Sequence, residues 1–242
     1  HRAGELAFAG YCFTTSFALS LAVGAPLAEV QAEAERGLAF SRKAQLRFVN
    51  GILSTQLGLT RTLRGLTATF GRLDHEGYDE RDTELHLASN RNLGFVECFY
   101  CVRKLQARFL AGDYAAAVDA AMNARPLLWN TPSNFETVEF HLYGALAHAA
   151  AHDDASGDQT RQHFEALIGH HQQLEVWAQY NPVTFENCAA IVGAEIARIE
   201  GRVLDAQGLY EKAVRSAHTQ GFVHNEAIAN EQAGSFYAAR GF

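Results

Sequence analysis

The chain has 242 residues, 48% of them hydrophobic and 19% charged, which excludes a disordered chain and leaves enough length for a large core in one domain or two. A formal charge of −7 argues against nucleic-acid binding unless a local basic face compensates. There are only four prolines, Val, Ile and Thr never alternate in clusters, and Ala, Leu, Gln, Glu and Arg fill long segments. An all-α protein is expected.

The first helix is placed near Glu5–Val23 and stops at Gly24–Ala25–Pro26. Leu6–Ala28 carries no charge and is long enough to span a membrane, but Gly10, Thr14, Thr15, Ser16, Ser20, Gly24 and Pro26 interrupt it. Only Arg2 precedes it as a basic residue, so it reads as a buried first helix and not as a signal or membrane segment. Pro26 opens a second helix near Leu27–Phe48, where its missing N–H costs nothing. A third follows near Ile52–Arg64. Gly65–Glu80 is irregular, with Gly65, Gly71 and Gly77 as punctuation, and a short helix near Asp79–Ser89 ends at Asn90–Arg91–Asn92.

Helices near Leu93–Leu110 and Asp113–Arg125 meet at Ala111–Gly112–Asp113–Tyr114, where Gly suits the stop and Asp the next cap. Pro126 and Pro132 bracket a loop containing Trp129. Ser133 and Glu136 have capping-box spacing for a helix near Asn134–Ala151. Asp153–Asp158 is a turn, a long helix runs near Gln159–Gln179, and Asn181–Pro182 breaks it. The last three helices lie near Thr184–Glu200, Val203–Gln220 and Phe222–Arg240, which makes about eleven. Cys12, Cys98, Cys101 and Cys188 fall inside helical segments without disulfide-framework spacing, which points to a reducing compartment.

A repeat emerges when the breaks are overlaid. Ala107–Tyr114 resembles Ala197–Val203, and after each Gly an Ala follows at the fifth position (Ala117, Ala206) and another seven later (Ala124, Ala213). In the later copy Ala206, Tyr210 and Ala213 put small, large and small residues on one helical face, the pattern of a helix pair that stacks on its neighbours. Tyr237–Gly241 looks like a third break. This is similar to tetratricopeptide repeats, although the Trp and Leu-Gly positions of their first helix are missing. The expected architecture is a right-handed α/α superhelix of tetratricopeptide-like helix pairs, one continuous solenoid over residues 1–242, in a chain that reads as a fragment of something larger.

Four stretches carry a wider resemblance: Arg103–Tyr114, Pro126–Trp129, Glu139–Ala147 and, most specifically, Gly221–Glu231. On them the chain resembles, end to end, the helical-repeat region of very large bacterial signalling proteins. In those proteins a serine/threonine-kinase-like domain and an AAA/STAND-type ATPase precede the repeat, and GAF or PAS sensors and a histidine kinase often follow. The resemblance implies a non-catalytic scaffold and regulatory module of a cytoplasmic, ATP-dependent signal-transduction kinase of two-component type, relaying between ATPase and sensor or kinase domains. It transfers no active-site residue. The alternative is a ligand- or peptide-binding sensor module of a STAND-type regulator.

No P-loop, G-x-G-x-x-G, H-E-x-x-H, G-x-S-x-G or kinase motif occurs, so neither a catalytic site nor a cofactor is expected within this sequence. Cys98-x-x-Cys101 has no second pair to complete a zinc site and sits mid-helix beside Phe95, Phe99 and Tyr100, so both thiols are read as packing residues. His141, His148 and His152 lie on one helix, and His163, His170 and His171 lie on the next. Two such helices could pinch a metal, but no carboxylate motif supports one and packing is the expected role. Trp129 and Trp177 are expected to plug joints between helix pairs.

Charge is more telling. Arg36–Leu73 holds seven basic residues and no acid, and Asp74–Glu84 then holds six acids against Arg81. Arg42, Lys43, Arg47, Arg61 and Arg64 form a candidate docking surface for an acidic face, either another domain of the same polypeptide or a separate protein or peptide. Neither nucleic acid nor membrane is expected as a partner, and apolar helix faces at both ends favour self-association.

Overall fold

The computed structural model describes residues 3–131 and 134–242. Pro132 and Ser133, and with them the capping box expected at Ser133, lie outside the described residues, as does Arg2. The described chain is all α: α1 (Ala3–Ala22), α2 (Leu27–Lys43), α3 (Arg47–Leu63), α4 (Glu80–Ser89), α5 (Gly94–Leu110), α6 (Tyr114–Ala124), α7 (Glu136–Asp154), α8 (Asp158–Tyr180), α9 (Pro182–Ile199), α10 (Val203–Gln220) and α11 (Val223–Ala238). Short 3-10 turns occupy Arg91–Leu93 and Arg125–Asn130. No helix among the described residues is long and apolar enough to cross a membrane. The helices gather into two compact units, His1–Phe140 and His141–Phe242, divided within α7.

In the first unit α2 packs antiparallel on α3, and α3 packs on α5. The break between α2 and α3 differs from the one expected after Phe48. The chain turns at Ala44–Gln45–Leu46, where Gln45 takes φ +57 and the Leu46 N–H donates to the Ser41 carbonyl. Without Gly or Pro this turn leaves little trace in the sequence. Gly51, which falls between the two expected helices, is inside α3. A Cβ there would lie 3.1 Å from Val96 of α5, so its role is close approach between helices. The first helix is buried on one face only: Phe17, Ala18, Leu21 and Ala22 are buried, whereas Phe8, Tyr11, Leu19 and Val23 are exposed.

In the second unit α9 packs on both α8 and α10, and α11 packs on α10. Asn181 caps α9 by accepting from the Thr184 N–H, and Pro182 occupies its first turn. Gly201 ends the α9 break at φ +74, a left-handed conformation that favours glycine. Ala206, Tyr210 and Ala213 are all fully buried, and Tyr210 packs against Phe236 with ring centroids 5.2 Å apart. Ala194 and Ala197 of α9 complete that cluster, so small side chains let α9 and α10 close around one aromatic. Trp177 joins α8 to α9, 5.7 Å from Phe185. Trp129 does not plug a joint: it stands 77% exposed on the 3-10 turn.

Candidate docking surface

The five basic residues divide between the two ends of the α2–α3 hairpin. Arg42 and Lys43 end α2 and Arg47 opens α3, so these three share one corner, all exposed and without an ion-pair partner among the described residues. Arg61 and Arg64 lie at the far end of α3, about 21 Å along the axis from Arg47 at 1.5 Å per residue. There Arg61 pairs with Glu35 at 3.4 Å and Arg64 donates to Gln31 Oε1 at 2.6 Å, both on α2. One corner of the hairpin therefore presents uncompensated cations, and the other end is already partnered.

The acidic stretch is likewise partly consumed inside the unit. Glu80 is 1% exposed and receives both Arg108 Nη2, at 2.9 and 3.0 Å, and Arg72 at 2.7 Å. Arg108 also donates to the Gly71 carbonyl, which ties the irregular segment 64–79 to α5. Asp74 receives the Glu80 N–H at 2.8 Å. Burial pushes its carboxyl up, but that N–H and Arg72 prevail and hold it below the usual carboxylate range. Glu84 behaves alike: burial opposes ionisation, and Lys104 and the Tyr100 hydroxyl overcome it. Glu76, Asp79 and Asp82 remain exposed.

Between these groups lies a cleft of about 1190 Å³. Its walls are α3, segment 64–79, α4 and the start of α5, with Arg47 and Phe48 on one side, Asp79 and Asp82 on another, and Leu66 and Leu87 among its apolar lining. His75 and Tyr78, stacked at 5.2 Å, fasten the segment to α3: His75 Nε2 lies 3.2 Å from the Ser54 carbonyl and the Tyr78 hydroxyl 3.0 Å from Thr55 Oγ1. Asp79 also caps α4 by accepting from the Asp82 N–H.

Beneath the cleft unit is a buried charge network that the sequence reading missed. Arg103 of α5 is fully buried and donates to Glu136 at 2.7 Å and to Glu139. Gln56 of α3 joins it, donating from Nε2 to Glu136 Oε1 at 3.5 Å and to the Thr14 carbonyl at 3.2 Å. Burial drives the Glu139 carboxyl up to about 7, and the facing Arg103 only partly offsets this. The available signal was position. Arg103 shares one face of α5 with Val96, Phe99 and Gln106 at spacings of three, four and three, so it lies where an apolar residue belongs.

The helix pairs, the Gly-turned breaks and the buried Ala–Tyr–Ala face find their counterpart in a known family: residues 67–233 match CHK1-like, TPR repeats. The chain belongs to the CHK1-like TPR repeat family. No curated protein and no solved structure matches it. A TPR chain is a helical scaffold for protein–protein contacts, and the remaining reactive groups of this TPR protein agree with packing roles. Cys98 and Cys101 are buried mid-helix, and burial pushes the Cys101 thiol up to about 12, far from the thiolate that redox or metal chemistry needs. Among the described residues no group of three or more His, Cys, Asp or Glu side chains forms a metal-holding set.

Proposed function

We propose that this TPR chain is a regulatory scaffold of a bacterial signal-transduction kinase and links an ATPase domain to sensor or kinase domains by domain–domain contacts. The observation that supports this reading is the corner of Arg42, Lys43 and Arg47, three unpartnered cations on a chain of net charge −7, while the neighbouring Arg61 and Arg64 are held by α2. An acidic face of another domain is the complementary surface, and such complementarity governs orientation and association rate more than affinity. The test is Arg42→Glu/Lys43→Glu/Arg47→Glu in the full-length polypeptide. Autophosphorylation is expected to fall at low salt and to lose its salt dependence, whereas Arg61→Glu/Arg64→Glu changes it little. Equal effects from both variants, or none from either, refute the docking corner.

The 1190 Å³ cleft favours a second reading, a sensor module that takes a peptide or small inducer between α3 and α4. Leu87→Trp at the cleft wall would then abolish induction and leave the salt-dependent docking intact.

A further inference from the structure

The cleft of the first unit is polarised along its length. Arg47, Asn50 and Ser54 of α3 line it at spacings of three and four, so they share one helical face, with Arg47 and Ser54 about 10 Å apart along the axis at 1.5 Å per residue. The Ser54 end is the acidic one. His75 Nε2 meets the Ser54 carbonyl and the Tyr78 hydroxyl meets Thr55, which brings the next residue, Asp79, and the first turn of α4 with Asp82 to this end. The far end of α4 leads to Arg47: Asn90 and Asn92 line the cleft there, and Phe95 just beyond them stacks on Phe48 at 5.4 Å.

These opposite charges line one cleft and are not spent on each other. Arg47, Asp79 and Asp82 are exposed, and none has an ion-pair partner among the described residues. The N-terminus of α3 adds its partial positive charge to that of Arg47, and at the other end two carboxylates outweigh the N-terminus of α4. The cleft carries a second, independent mark. Ser54 is 8% exposed, yet its hydroxyl has no hydrogen-bond partner among the described residues, whereas Thr55 and Thr60 of the same helix turn theirs back to the carbonyls of Gly51 and Gln56. A nearly buried hydroxyl at a cleft wall that the protein leaves unmatched is a group for a ligand to satisfy.

We infer that the cleft binds a small dipolar molecule whose ammonium and carboxylate stand about 10 Å apart, as at the two ends of a free tripeptide at about 3.3–3.6 Å per residue. Asp79 and Asp82 take the ammonium, the Arg47 guanidinium takes the carboxylate, and Ser54 meets the peptide group nearest the amino end. A single α-amino acid carries both charges on one carbon and cannot reach both ends. The inference rests on the reading of this cleft as a sensor site and names the class of molecule it takes.

The test is an NMR titration of the whole chain with alanyl-leucyl-alanine, following the backbone amides of α3 and α4. The free tripeptide should bind saturably, and acetylating its amino end or amidating its carboxyl end should each weaken binding ~10-fold. Arg47→Gln should weaken the free peptide to a similar degree and lose the effect of the amide while keeping that of the acetyl group. Asp79→Asn/Asp82→Asn should do the reverse, and asparagine preserves the α4 cap. A doubly capped peptide that shifts the same amides with the affinity of the free one, or cap effects that survive unchanged in both variants, would overturn the charge assignment and leave a cleft that takes small molecules. No saturable shift with any form up to about 10 mM would overturn the sensor reading together with it.

Discussion

Glu139→Gln isolates the electrostatics of the buried network. Two carboxylates face one guanidinium there, so the network carries an excess negative charge where solvent cannot screen it. Burial first, and the facing Glu136 carboxylate after it, keep the proton on Glu139 up to about 7 against an ordinary value of 4.5, and Arg103 only partly offsets them. In the unfolded chain the same group ionises near its ordinary value. Between the two values the folded state binds a proton that the unfolded state has released, so stability contributed by Glu139 is full at acid pH and declines as pH rises toward 7. The span corresponds to roughly 3 kcal/mol, at 1.36 kcal/mol per pKa unit for a fully buried group. Glutamine mimics the protonated acid at every pH. Urea midpoints of the two proteins should therefore agree near pH 5 and diverge toward pH 8, with the variant the more stable by an amount of that order. The comparison with the variant matters because the low-lying His163 and His224 impose a slope of opposite sign on both proteins. Parallel pH profiles, or a variant less stable than the parent at pH 8, would refute the assignment of the excess charge.

Two further outcomes follow from the packing. Ala206→Leu forces a side chain into the closed α9–α10 contact around Tyr210 and should lower stability by roughly 1–3 kcal/mol in thermal melts; an unchanged melting temperature would displace the repeat register. Trp129→Ala should stay within about 0.5 kcal/mol of the parent because the ring is exposed, whereas Trp177→Ala should cost more than about 2 kcal/mol in the same melts.

The parts of the fold that the sequence announced are those with local causes. Gly112 and Gly201 stop helices, Asp113 and Asn181 cap them, and the spacing of Ala206, Tyr210 and Ala213 marks a buried face. What escaped was set by partners distant in the chain. Arg108 and Glu80 are 28 residues apart and Arg103 and Glu136 are 33 apart, so their charges look like ordinary solvated ones until α5 is packed against its neighbours. The two tryptophans stand in like sequence settings near Pro132 and Pro182, yet Trp177 meets His141 and Phe185 while Trp129 stays exposed. Proximity to a proline says where a helix breaks but not what comes to cover the ring. The proposed docking surface was legible as composition only. The division of the five basic residues into an unpaired corner and an end held by α2 depends on Glu35 and Gln31 lying opposite Arg61 and Arg64, which follows from the antiparallel course of α2 and α3.

Gln45 turns the chain between Lys43 and Arg47 with a backbone conformation that costs a side chain about 1 kcal/mol and costs glycine nothing. A glycine at this corner would open more backbone conformations to the turn. With glutamine the turn has fewer backbone conformations open to it, and the Leu46 N–H on the Ser41 carbonyl holds it closed. Strain at one residue thus sets the points at which Arg42, Lys43 and Arg47 leave the backbone.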